Sequence, residues 1–246
     1  MNRIFIVGSQ RSGTTLLRLV LGSHPLIHAH EEPHSYNFSP CFCKGGCSCC
    51  RWVKETGTNK KQKPKVPFEV FKIPKWTHYQ EEIFKRYPSS DVIFLYRNPL
   101  DVVASMLSLQ MKGATWAERE AFEEITECYP KWTSEALKIK SNNLKLAVLC
   151  VFLKQQYISP LAIRFCYEDF VENPESELRS LLIELRIPWN DNLLRHHLLN
   201  NGIQMGKTNA NRSIDNASKN KHLKVLTPEQ IQEAKQYLEQ LASFVK

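Results

Sequence analysis

Two short stretches of this chain carry residues whose types and spacing suit phosphate binding. The first is VGSQRSGTTLL, Val7–Leu17. Gly8 and Gly13 are spaced as in the G-x-x-x-x-G-K-[ST] loops of nucleoside triphosphatases. Backbone N–H groups of such a loop converge on a phosphate, and the following helix N-terminus adds partial positive charge. Thr14 stands where those enzymes place a lysine that neutralises the β- and γ-phosphates. Its loss argues against ATP or GTP and for a cofactor with a shorter 5′ group. Arg11, inside the loop, supplies a cation instead.

The second stretch is FLYRNPLDVVASML, Phe94–Leu107. A phosphate monoester is held well by a guanidinium that pairs with two oxygens and by a nearby hydroxyl donor. Arg97 at a strand end and Ser105 on the next helix supply that pair if the chain doubles back. The pair by itself reads better as a capping arginine and a solvent-facing serine. The two stretches together, in this order and both at strand ends, are specific.

Acid–base candidates crowd one segment: His24, His28, His30, Glu31, Glu32 and His34. An alcohol nucleophile needs a base within hydrogen-bond reach. The spacing gives no convincing metal ligand set, so no metal is expected. Five of the eight cysteines, Cys41, Cys43, Cys47, Cys49 and Cys50, lie in CFCKGGCSCCRW. A local disulfide, a zinc clip and unpaired thiols all fit that run, and a structural role in shaping an acceptor loop is expected.

These residues need a scaffold, and the hydrophobic pattern describes one. Arg3–Val7, Val70–Ile73, Asp91–Tyr96 and Ala162–Tyr167 read as short buried strands. Thr14–Leu21, Tyr79–Tyr87, Asn98 to about Gln110, Glu118–Cys128, Trp132–Gln156 and Pro174–Leu185 read as helices. Thr227 and Gln230 are spaced as a capping box that starts a last helix. Strands alternating with helices predict a three-layer α/β fold with a mainly parallel sheet, and ligands at the strand ends. One domain over residues 1–246 is expected, with a Cys-rich loop at 40–67 and a basic loop at 200–221.

Composition narrows the class. The chain has 246 residues, 42% hydrophobic and 24% charged, which suits a folded domain. The net charge of +8 favours anionic ligands, though on charge alone a solvated basic surface is the better reading, and no nucleic-acid partner is expected. No apolar run is long enough to span a membrane. Ile4–Val7 is too short for a signal-peptide core. With Cys128, Cys150 and Cys166 in apolar segments, a cytoplasmic protein with reduced thiols is expected.

QRSGTTLL resembles the 5′-phosphosulfate loop of sulfotransferases that use 3′-phosphoadenosine 5′-phosphosulfate (PAPS). Arg-x7-Ser after an apolar strand is similar to that family's 3′-phosphate signature. IRFCYEDFVENPESELRSLLIELRIP, Ile163–Pro188, resembles its late strand and helix. The resemblance covers most of Arg3–Ser213 and implies the P-loop-like sulfotransferase fold and sulfuryl transfer to an acceptor hydroxyl. It assigns cofactor binding to Arg11, Ser12, Gly13, Thr14, Thr15, Arg97, Ser105 and Tyr167. RSGTTLLRLVLGSHPLIHAHEE, Arg11–Glu32, resembles the tyrosylprotein sulfotransferases, whose second glutamate is the base. That carries to Glu32, with Glu31 next and with His30 and His34 as histidine alternatives. Lys72 resembles the lysine that bridges the leaving phosphate and the sulfuryl group, with Lys75 its neighbour. Ser213 resembles a serine reaching the sulfonate, and Lys207, Arg212 and Lys219 form a basic surround. The acceptor stays open among peptide tyrosine, sugar, lipid and metabolite. Trp52, Trp76, Trp116 and Trp132 suit either an acceptor site or the core. The rivals are a P-loop kinase, which would want a magnesium-holding carboxylate near Asn98, and a non-catalytic nucleotide-binding module.

Overall fold

The computed structural model of the chain describes residues 2–30, 66–111, 114–115, 117–156, 158–199, 204–205, 208–209 and 211–244. In chain order these form β1 (Asn2–Gly8), α1 (Thr14–Leu21), β2 (Ile27–Ala29), β3 (Phe68–Lys72), α2 (Gln80–Arg86), β4 (Asp91–Tyr96) and α3 (Pro99–Leu107). A hairpin of β5 (Gln110–Met111) and β6 (Ala114–Thr115) follows, then α4 (Phe122–Cys128), α5 (Thr133–Lys138) and α6 (Asn143–Gln156). The rest is β7 (Ile163–Cys166), α7 (Tyr167–Glu172), α8 (Pro174–Leu185), α9 (His196–Leu199), β8 (Gln204–Met205), β9 (Thr208–Asn209), α10 (His222–Val225) and α11 (Pro228–Phe244).

The chain divides into two compact units. The first comprises residues 1–8, 13–96 and 158–216 and holds a five-stranded sheet in the order β2-β3-β1-β4-β7. Every pairing in that sheet is parallel. The central strands β1 and β4 are buried on both faces, which explains their continuous apolar runs. Alternation sorts them: Ile4, Ile6, Val70, Ile93, Leu95 and Phe165 pack with α1, α7 and α8. Phe5, Val7, Phe71, Val92 and Phe94 face the other way, towards Trp76 and Ile83. Each such side chain, fully buried, contributes about 1.5–3 kcal/mol. This is the expected layered α/β arrangement. From β1 the chain goes first to β2 and β3 on one side and then to β4 on the other. The C-terminal end of β1 is therefore the switch point where ligands bind in open α/β sheets.

The second unit comprises residues 9–12, 97–157 and 217–246 and is helical. Its core lies around α6, which is buried almost all round and packs on α3, α11 and a π-helical turn at Ala117–Ala121. The expected capping box is present: the Thr227 N–H donates to Gln230 Oε1 at 3.0 Å, and the Gln230 N–H to Thr227 Oγ1 at 3.3 Å. No helix among the described residues is long and apolar enough to cross a membrane.

Several boundaries differ from the sequence reading, each for a local reason. The helix expected from Tyr79 is preceded by a 3-10 turn, Pro74–Tyr79, with proline in its first turn. The long helix expected over Trp132–Gln156 breaks after Lys138. There Asn142 Oδ1 accepts from the Lys145 N–H at 2.9 Å and starts α6 afresh. The last large strand stops at Cys166, and Tyr167 opens α7, whose first turn carries Glu168 and Asp169. Strand β2 has only three residues, too few to show a period of two.

Candidate functional site

In the sheet unit the site begins where β1 ends. Gly8 has φ +132° and Gly13 has φ +105°, conformations that favour glycine. Thr77 fixes the first of them: its hydroxyl accepts from the Gly8 N–H at 2.9 Å and lies 2.9 Å from the Gly8 carbonyl. Gly13 caps α1, so Thr14 and Thr15 are the first residues of that helix. A side chain at Gly13 would strike the Tyr167 ring, whose Cδ2 would lie 2.4 Å from an added Cβ. The Tyr167 ring is thus packed tightly against the loop glycine. Lys72 ends β3 on the face that carries α1, and its Nζ donates to Thr15 Oγ1 at 3.2 Å. A buried cation is thus held at the N-terminus of α1.

The same unit fixes the point from which the acidic segment departs. The His30 N–H donates to the Val70 carbonyl at 2.9 Å, and its carbonyl accepts from Arg18 Nη1 at 2.6 Å. The His30 ring stacks on Phe71 with centroids 4.3 Å apart, and Nε2 lies 3.1 Å from Glu69 Oε1. Burial pushes the His28 imidazole below the usual histidine range, against the pull of Glu69. His24 is structural: Nδ1 accepts from the Leu26 N–H at 3.1 Å, and Nε2 faces the Pro188 carbonyl at 2.9 Å.

In the helical unit, cations gather around Ser105. Arg11 Nε donates to Ser105 Oγ at 3.3 Å. Lys221 Nζ lies 3.4 Å from the same oxygen and 3.0 Å from Ser108 Oγ. Arg97 is buried; Nη1 donates to the Arg11 carbonyl at 3.2 Å and Nη2 to the Ser218 carbonyl. Asp101 Oδ2 lies 3.7 Å from Arg97 Nη2, while its Oδ1 accepts from the His222 N–H and sits 2.6 Å from His222 Nδ1. Among the described residues, Arg97 and Lys221 thus share Asp101, a carboxylate that also serves a histidine. The arrangement strains the charged forms. Burial, then Arg97, lowers the Arg11 pKa from its usual range. Burial, then Arg11 and Arg97, lowers that of Lys221, against Asp101. An anion relieves all of this at once.

Of the sequence-predicted residues, Gly13, Thr14, Thr15, Lys72 and Tyr167 gather at one end of the sheet unit. Arg11, Arg97 and Ser105 gather in the helical unit. Ser12 is buried, with its hydroxyl closing the turn onto the Ser9 carbonyl at 2.6 Å. Ser213 is exposed, in a turn stapled by Arg212 and Asp215. Lys75 and Lys219 are half-buried; Trp76 is core, and Trp132 is half-buried against the helical core. Glu31, Glu32, His34, the five clustered cysteines, Trp52, Trp116 and Lys207 lie outside the described residues. Asn98 caps α3, its side chain accepting from the Leu100 N–H at 2.9 Å. Sequence reading missed Lys221, Ser108 and the Asp101–His222 pair. Only the Lys-rich run Lys219–Lys221 hinted at the first. Among the described residues no group of three or more His, Cys, Asp and Glu is placed to hold a metal.

A parallel α/β sheet whose first strand feeds a glycine-bounded loop and a helix N-terminus defines a P-loop-like nucleotide-binding fold. A sequence model described as the Sulfotransferase family matches residues 3–41 and 34–191. The chain belongs to the sulfotransferase family. It is 25% identical over 249 residues to protein-tyrosine sulfotransferase 1 of Danio rerio, an alignment covering 92% of this chain and 65% of that protein. With the protein-tyrosine sulfotransferase of Drosophila melanogaster it shares 24% over 250 residues, covering 92% of this chain and 46% of that one. The chain thus spans less than two thirds of the length of these relatives. The sulfotransferase domain from the Synechococcus PCC 7002 olefin synthase superposes with a TM-score of 0.57 at 18% identity, covering 96% of this chain and 94% of that one. The sulfotransferase domain from the curacin biosynthetic pathway gives 0.53 at 19% identity, covering 97% and 96%. Both show the same fold.

Proposed function

We propose that the protein transfers a sulfuryl group from PAPS to an acceptor hydroxyl. The observation that carries this reading is the cluster of Arg11, Arg97 and Lys221 around Ser105, with one shared carboxylate against it. That partly buried positive charge suits a dianionic phosphate monoester. The 3′-phosphate of PAPS is such a group, and ATP has none. Gly13, Thr14, Thr15 and Lys72 take the 5′-phosphosulfate. Lys72 stands at the helix N-terminus, where negative charge develops on the bridging oxygen as the bond to sulfur breaks.

In the proposed step the acceptor oxygen attacks sulfur in line with the 5′-phosphate. The new O–S bond forms as the old one breaks, and adenosine 3′,5′-bisphosphate leaves. The acceptor proton passes to Glu32, just beyond the fixed His30. Ser213 is proposed to contact the sulfonate. The name carried by the curated relatives supports a tyrosine phenol as the first acceptor to assay. The scheme uses no metal ion and no cofactor beyond PAPS. The kinase reading finds less support, because Asn98 is occupied as a helix cap where a magnesium-holding acid would be wanted.

Titration with adenosine 3′,5′-bisphosphate, set against ATP with magnesium, tests the proposal. Stabilisation by the bisphosphate that is lost in Arg97→Ala supports it. Stabilisation by ATP with magnesium alone refutes it.

A further inference from the structure

Helix α6 buries ten side chains, and nine are apolar; the tenth is Lys154, fully buried. Its Nζ lies 2.5 Å from Oε1 of Glu124, also buried. A third group closes the ring. Gln10 Nε2 donates to Glu124 Oε2 at 2.7 Å, and Lys154 Nζ donates to Gln10 Oε1. Replacing a buried ion pair by apolar groups of similar size is often neutral or stabilising, so stability alone does not account for this one. What the pair holds is the amide of Gln10, the residue before Arg11 in the phosphate loop.

Arg11 has φ +71°, a left-handed conformation that a non-glycine residue keeps only where its surroundings impose it. In that conformation its carbonyl meets Arg97 Nη1 and its guanidinium reaches Ser105. We infer that Lys154 and Glu124 are positioning residues: through Gln10 they fix the Arg11 backbone on which the 3′-phosphate site depends. The inference rests on the PAPS reading and extends it to two residues remote from the phosphate. Removing Glu124 and Lys154 together leaves the net charge unchanged, so anion binding should hold if charge alone mattered and weaken if geometry does.

The test is calorimetric titration of the full chain with adenosine 3′,5′-bisphosphate, paired with thermal unfolding without ligand. The variants are Glu124→Leu/Lys154→Met, Gln10→Ala and all three together. The double variant should unfold within a few degrees of wild type, or higher, yet bind about tenfold more weakly. Gln10→Ala should lose a similar factor, and the triple variant no more than either, because all three act through one ring. Binding by the double variant within twofold of wild type, or tighter, overturns the inference. If that variant does not fold, Gln10→Ala decides alone on the same criterion. A wild type that ignores the bisphosphate and binds ATP with magnesium overturns the PAPS reading and this inference with it. Retained bisphosphate binding in wild type and variants, lost only in Arg97→Ala, overturns this inference and leaves the PAPS reading standing.

Discussion

Adding one methyl group at Gly13 tests the loop geometry most sharply. Two separate costs follow from the structure. Gly13 has φ +105°, and an L-residue pays about 1–2 kcal/mol for a left-handed backbone. The new Cβ would also lie 2.4 Å from Tyr167 Cδ2 and 2.7 Å from Cε2. Ordinary carbon contacts are about 3.5–4.0 Å, so the ring must retreat by about 1 Å. Tyr167 is buried in the cluster with Leu17, Phe170 and Leu178, so the retreat disturbs packed neighbours and adds about 1–3 kcal/mol. Gly13→Ala should therefore cost about 2–5 kcal/mol, a fall in melting temperature of roughly 4–20 °C for a chain of this size. The control is Tyr167→Ala. Without the ring, the same substitution should cost only the backbone part, leaving a coupling of about 1–3 kcal/mol between the two sites. Urea unfolding of wild type, both single variants and the double variant measures it. A cost at Gly13 that is the same in both backgrounds, to within about 0.5 kcal/mol, refutes the contact as the cause.

Other outcomes follow from the same geometry. Arg97→Ala removes a charge-assisted contact worth about 1.5–3 kcal/mol, so affinity for adenosine 3′,5′-bisphosphate should fall about 10- to 150-fold by calorimetry. Lys221 holds an anion only while charged, and its pKa lies below the usual lysine range. Bisphosphate affinity should therefore weaken as pH rises through that lowered value, earlier than an ordinary lysine would require, and Lys221→Met should remove this limb of a Kd-versus-pH profile. Lys72→Met should lower kcat for sulfuryl transfer about 10²- to 10³-fold in a radiolabelled-donor assay, with bisphosphate affinity changed only a few-fold.

Much of this was legible in the sequence because the signals were local. The β1 loop announced itself through Gly8 and Gly13, whose positive φ values are requirements of the backbone at those two positions. Arg97 and Ser105 were legible because both follow from a strand end and a helix in continuous sequence. Lys221 was not, because it meets Ser105 across 116 residues and no period or cap marks it. Lys154 was hidden for a different reason. It sits in an apolar helix that reads as core on every side, and its role shows in contacts with Glu124 and Gln10 that the local pattern does not mark.

That contrast bears on how the loop motif should be read. The chain leaves the sheet unit after Gly8 and re-enters it at Gly13, and the four residues between belong to the helical unit. Thus the five-residue spacing that reads as a phosphate motif is also the spacing of two turns. Each glycine answers to sheet-unit partners, Gly8 to the Thr77 hydroxyl and Gly13 to the Tyr167 ring. The residues between them answer to helical-unit partners: Gln10 to Glu124 and Lys154, Arg11 to Ser105 and Arg97. A motif match constrains the glycines, since their backbone conformations exclude most side chains. It says little about Gln10, whose demand for a buried amide partner arises only from this chain's own helices.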